Sequence, residues 1–146
     1  MKADPKTEAA VMNVVRQWFE AFAKRDIDAV LAFVAPDPDM VAIGTGGDEK
    51  CIGPAELKVV AERAFVQSED ASCKIGWHSV SAAGSVAWVA ADIIFQVKTG
   101  GREVSLPLRE TAVLERRGSR WLIVQSHDSL PAAGQKEGEA WPREGY

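Results

Sequence analysis

A chain of 146 residues, 47% apolar and 26% charged with a net charge of −4, has the balance of one globular domain. A domain of this length buries about 70% of the surface its unfolded chain exposes, enough for a true core. The acidic balance argues against nucleic acid, whose recognition rests on clustered Lys and Arg, and no apolar run nears the roughly 18 residues of a membrane helix, so neither is expected as a partner.

Asp4 suits a helix N-cap and Pro5 the first helical position. Val11, Val14, Val15, Trp18 and Phe22 then recur at helical spacing, which predicts an amphipathic helix over residues 5–24. Asp26 is placed to cap a short second helix with Ile27, Val30, Leu31 and Val34, stopped by Pro36 and Pro38. Residues 40–45, "MVAIGT", read as a strand; "GGDEK" turns the chain toward Cys51-Ile52. Gly53-Pro54 opens a third helix, with Leu57, Val60, Ala61, Ala64 and Phe65 on one face to about Ser68. The remainder is strand-like: residues 72–81, 85–98, 102–116 and a last strand from Arg120 that ends before Pro131. Short turns join these strands, which makes an antiparallel meander. Pro107 implies an edge or a bulge in its strand. Arg116, Arg117 and Arg120 straddle Gly118-Ser119 and read as a solvated hairpin tip. Residues 132–146 are rich in Gly, Pro and charge and read as a flexible tail, with Trp141 its one large apolar side chain. Cys51 and Cys73 form no C-x-x-C pattern, and no signal peptide precedes them, so reduced thiols in a cytoplasmic protein are expected.

Helices followed by an antiparallel sheet give an α+β fold. Three helices do not cover four long strands to the bottom, so a cone with a residual cavity is expected.

At this point the residues resemble a known family. "VVRQWFEAFAKRDIDAVLAFVAPD" looks like the start of nuclear transport factor 2-like domains, in particular the SnoaL-like branch. "CIGPAEL" is similar to that family's Gly-containing entry into its third helix, and "LRETAVLERRGSRWLIVQSHDSLP" to its closing strands. That last segment also resembles the association domain of calcium/calmodulin-dependent kinases. The resemblance covers about residues 8–131 and sets a domain of 1–131. It implies a cystatin-like cone, a curved sheet wrapped around N-terminal helices and a helix-capped pocket. It also implies a homodimer through the outer face of the sheet. Its members include isomerases, cyclases, dehydratases, epoxide hydrolases and proteins that only bind or assemble, so fold alone does not select a reaction.

His127, Asp128 and Ser129 are the residue types of a hydrolase triad, but neighbours in a strand point to opposite faces. His127 and Ser129 share a face that Asp128 does not. Asp92 interrupts an apolar strand. Either it lies on the outer face, or it points inward, where burial and Trp88 would make it a general base. Arg109, carried over from the SnoaL-like Arg-x-Thr pattern, stands where it can pair with Asp92 from the next strand. Leu106, Leu108, Glu110, Ala112 and Leu114 form the more apolar face of their strand, which makes Glu110 a buried acid unless Pro107 shifts the register. Trp18, Phe22, Phe33, Phe65 and Trp88 are expected to form core and pocket wall. His78 and His127 are far apart and no acidic cluster joins them, so no metal is expected. The one Tyr, Tyr146, lies in the tail, so the Tyr-and-acid oxyanion arrangement of steroid isomerases is not expected in its usual form. An epoxide-hydrolase arrangement needs two Asp bridged by an Arg, of which Asp92 and Arg109 supply two parts.

The expectation is therefore a pocket for a small, largely apolar molecule, with chemistry, if any, of the cofactor-free acid–base kind on a carbonyl compound. Asp92 is the expected base, and Arg109 or His127 the stabiliser of negative charge. The alternative is a non-catalytic ligand-binding or dimeric association module.

Overall fold

The computed structural model describes residues 1–143. Helix α1 spans Pro5–Ala23. Asp4 fixes its start by accepting the Thr7 N–H and hydroxyl, each at 2.9 Å, while Pro5 fills a position that needs no N–H. Val11, Val15, Trp18 and Phe19 form its buried face. The chain leaves α1 through Arg25, at φ 58°, and Asp26 caps α2 (Ile27–Ala32) by accepting the Ala29 N–H at 3.1 Å. Asp26→Ala is expected to lower stability by about 1 kcal/mol, read as a lower urea midpoint at unchanged slope.

Strands β1 (Val41–Ile43) and β2 (Lys50–Ile52) form a short hairpin. Gly53 turns the chain at φ 85° into α3 (Pro54–Gln67). Then come β3 (Asp70–Ala83), β4 (Val86–Thr99), β5 (Arg102–Arg117) and β6 (Arg120–Ser129), the expected meander. The six strands make one open sheet in the order β2-β1-β6-β5-β4-β3. One pairing departs from the expected wholly antiparallel sheet: β1 runs parallel to β6. No hairpin links those two strands; α3 and the whole meander lie between them, which is what a parallel neighbour requires.

Two irregularities curve the sheet. Between the pairs Ile75↔Ile93 and His78↔Ala91, β3 carries Gly76 and Trp77 opposite Asp92 alone. Between Val113↔Gln125 and Leu114↔Ile123, β6 carries the extra residue Val124. Such bulges bend and twist a strand, and each exchanges which side chains face inward. Pro107 causes no shift. It pairs with Ile94 of β4, and β6 reaches only to Arg109, so the Pro107 side of β5 is an edge there.

The inner face presents Ala87, Val89, Ala91 and Ile93 of β4, Leu108, Ala112 and Leu114 of β5, and Ile123 of β6, all buried. These pack with the buried face of α1 in one core. The architecture is the α+β cone, a curved, unclosed sheet wrapped around the helices. Residues 132–143 form turns without helix or strand, and Trp141 is 81% exposed. The last three residues of the expected tail, with Tyr146, lie outside the described residues. Among the described residues no helix is long and apolar enough to cross a membrane.

Candidate functional site

Strand alternation places two acids side by side on the inner face. Glu110 of β5 and Asp128 of β6 are directly paired across the strands. Glu110 is 1% exposed, and Asp128 lines a cavity of about 160 Å³ between the sheet, α1 and α3. Its wall is mostly apolar, with Trp18, Phe19, Phe22, Leu57, Phe95 and Leu108 prominent. The polar side chains on it are Thr45, Glu49, Ser126, Asp128 and the indole of Trp18. A second chamber of about 450 Å³ adjoins it, sharing Phe22, Thr45, Glu49, Ala64, Phe95 and Leu106 and adding Phe65.

Both carboxyl oxygens of Glu110 and Oδ1 of Asp128 are buried without a donor from the protein. Two ionised carboxylates cannot satisfy each other, since both only accept. A proton on Glu110 resolves this, because it is then donated across the strand pair to Asp128. Burial pushes the Glu110 carboxyl well above its ordinary value, and the bond to Asp128 and the charge of Asp128 push it further the same way. Burial also raises Asp128, and the negative charge of Glu49 adds to this; the Glu110 hydrogen bond and the nearby His127 act in the opposite sense. Of the two, Glu110 is pushed up further and is the natural seat for a proton, with Asp128, which faces the cavity, as its acceptor.

The cavity rim is the β1–β2 connection. Glu49 Oε2 accepts the Gly46 N–H at 3.1 Å, and its Oε1 lies 3.4 Å from Arg63 of α3. Arg63 also pairs with Asp48 at 2.9 Å. Gly44 makes room for this fold of the chain, since a Cβ there would collide with Glu49 Oε2. Trp18 is 2% exposed, stands edge-on to Phe19 and Phe22, and its indole N–H finds no acceptor.

The other sequence-predicted residues are distributed over the two faces. Trp18 and Phe22 line the inner chamber, Phe22 and Phe65 the outer one. Phe33 ends α2 and packs against the core without lining either chamber. Asp92, Arg109 and His127 are exposed on the outer face of the sheet. Asp92 and Arg109 are cross-strand partners in register, yet among the described residues no ion pair joins them; the Arg109 guanidinium donates to the Leu130 carbonyl at 3.5 Å. Trp88 is on the same outer face, in a groove of about 360 Å³ with Trp77, Ala90 and Val113. Thr45, Glu49 and Ser126 are polar wall residues not singled out in the sequence, and Asp128 figures there only as a triad residue type beside His127 and Ser129. A signal for Asp128 was present, because a buried Glu110 selects the residue opposite it on β6. Among the described residues no three His, Cys, Asp or Glu side chains are grouped to hold a metal ion.

Residues 11–133 match the family model of the SnoaL-like domain. The chain belongs to the SnoaL-like family. No curated protein matches the sequence. Solved structures share the SnoaL-like chain's fold at low identity. A protein provisionally named a dehydratase of the NTF2-like family, from Streptomyces avermitilis, is 18% identical, with 88% of this chain and 100% of that one covered and a TM-score of 0.77. One provisionally named an aromatic ring hydroxylase, from Novosphingobium aromaticivorans, is 20% identical, with 88% and 92% covered and a TM-score of 0.80. A ketosteroid isomerase-like protein from Erwinia carotovora atroseptica is 21% identical, with 85% and 95% covered and a TM-score of 0.71. These likenesses establish the nuclear transport factor 2-like, or cystatin-like, fold of this SnoaL-like domain.

Proposed function

We propose that this SnoaL-like domain binds a small, largely apolar carbonyl compound in its inner cavity and moves a proton on it without a cofactor. The observation that carries this reading is the Glu110–Asp128 pair, two acids side by side across the strands at the wall of an apolar chamber, one of them fully buried. Asp128 takes a proton from the carbon next to the carbonyl. The C–H electron pair becomes the C=C bond of an enolate as the carbonyl π pair moves onto oxygen. Asp128 then returns the proton to a different carbon of the conjugated system, which is isomerisation, or to a β-hydroxyl group that leaves as water, which is dehydration. Return to the same carbon gives exchange alone. Glu110, protonated behind Asp128, holds its carboxylate in place. The acid–base role expected of Asp92, Arg109 and His127 passes to this pair in the proposal, because those three side chains stand outside the cavity. Neighbours named for a dehydratase and for a ketosteroid isomerase-like protein are consistent with such chemistry. The test is proton–deuterium exchange at the α-carbon of neutral cyclic ketones and enones in D₂O, followed by NMR. Exchange above the buffer rate with wild type, and unchanged in Asp92→Asn, supports the reading; no exchange across the panel contradicts it.

The association reading has its own support in the outer face. Trp77 is 61% exposed on a bulge, beside the groove that holds Trp88 and Val113. A sheet face of this kind suits a second copy of the chain, and we include a homodimer and a cytoplasmic location in the proposal, the latter supported by free Cys51 and Cys73. Sedimentation equilibrium should give a dimer for wild type and a monomer for Trp77→Glu. A monomeric wild type removes the outer face as the interface.

A further inference from the structure

Trp18, on the wall of the inner cavity, carries a donor that the proton-transfer scheme above does not use. Trp18 has one hydrogen-bonding atom, its indole N–H, and this N–H is buried with no acceptor. Buried donors without partners are rare, because each forfeits its hydration for nothing in return. Trp18 lines the same chamber as Asp128 and Ser126. The rings of Phe19 and Phe22 stand roughly perpendicular to it and offer the N–H no lone pair. The second feature is charge. Neither chamber's wall contains Lys, Arg or His, while Asp128 and Glu49 both face in. The Arg63 guanidinium is on the rim, between Asp48 and Glu49.

We infer that Trp18 is the oxygen-binding residue of the cavity, donating its N–H to the carbonyl oxygen of an uncharged substrate, and that the wall rejects substrates carrying a carboxylate or phosphate. This rests on the reading of the cavity as a proton-transfer site and names the group that reading lacks. When Asp128 takes the α-proton, the C–H electron pair moves through the carbonyl onto its oxygen. The Trp18 N–H meets that growing negative charge without becoming deprotonated itself. A preorganised donor in an apolar site is worth more at that stage than in the ground state. An ammonium ligand would satisfy Asp128 but leave the Trp18 N–H unpaired. A carbonyl compound with an acidic C–H engages both.

Two measurements test this. The first uses wild-type protein labelled at the indole nitrogen of its five Trp residues, with the Trp18 signal identified by its loss in Trp18→Phe. Titration with cyclohexanone should move the Trp18 N–H signal downfield; methylcyclohexane, of similar bulk, should not. A shift with both or with neither overturns the oxygen-binding role. The second compares α-exchange rates of Trp18→Phe with wild type: a loss of roughly 10²-fold, mainly in kcat, is expected from removal of one such donor. An unchanged rate overturns the role even if Asp128→Asn abolishes exchange. If no ketone exchanges but the indole still shifts, oxygen binding stands and the proton-transfer reading fails. The charge rule is tested with a cyclohexanone carrying a methyl ester and its free-acid counterpart. The acid should bind roughly 10²-fold more weakly, since like charges in such a site cost several kcal/mol; equal binding overturns the rule.

Discussion

Asp128→Asn should lower the α-proton exchange rate by roughly 10²- to 10⁴-fold, the usual worth of a positioned general base. The amide keeps the size and shape of the carboxyl and still accepts from Glu110, so the cavity wall is retained. What it loses is the basic lone pair. Binding of a neutral ketone should therefore persist, and the loss should fall on kcat rather than KM. The folded state should be no less stable than wild type, because a charge that burial disfavours has been removed. Loss of binding with equal loss of rate would mean that Asp128 shapes the cavity without transferring a proton.

Glu110→Gln should stabilise the protein at neutral and alkaline pH and flatten its stability–pH curve. The Glu110 carboxyl sits well above its ordinary value of 4.5 because it is buried beside Asp128. Between that ordinary value and the raised one, the unfolded chain has released the proton and the folded chain still holds it. The unfolded state then binds fewer protons, so stability falls as pH rises, by up to about 1.4 kcal/mol per pH unit for one proton. Gln titrates nowhere in this range and its amide can still donate to Asp128. Urea unfolding at pH 8 should show a gain of about 1–3 kcal/mol for the variant. At pH 4, where Glu110 is protonated in both states, the two proteins should differ little. Asp128 leaves a smaller slope of the same sign, since its carboxyl is also raised. The variant should be less active, because a fixed amide donor holds Asp128 more firmly ionised and a weaker base results.

The sequence made the fold legible because its signals agree at every level. Asp4-Pro5 and Gly53-Pro54 mark helix starts, the helical spacing of Val11, Val15 and Trp18 marks the core face, and turn residues punctuate four strands. Pro107 is explained by a partner strand that ends before it. The site was harder to read for two physical reasons. In β4 both faces are apolar: Trp88, Ala90 and Ile94 share the outer face with Asp92, while Ala87, Val89, Ala91 and Ile93 face the core. Hydrophobicity cannot choose between such faces. In β6 the extra residue Val124 exchanges the faces. Counting alternate residues from buried Ile123 reaches Gln125, His127 and Ser129, but past the bulge it is Ser126 and Asp128 that face inward. A bulge of one residue leaves no mark in composition, so the sequence placed the interest on His127 and the structure places Asp128 against the cavity.

The pairing of Glu110 with Asp128 is open to direct observation without any substrate. Infrared difference spectra between wild type and Glu110→Gln at neutral pH report whether a protonated carboxyl is present in the folded protein. The expected result is a carboxylic C=O band in wild type that is lost in Glu110→Gln and moves in Asp128→Asn, where its hydrogen-bond acceptor has changed. A wild-type spectrum with only ionised carboxylates at that pH would contradict the shared proton, and with it the acid–base reading of the cavity.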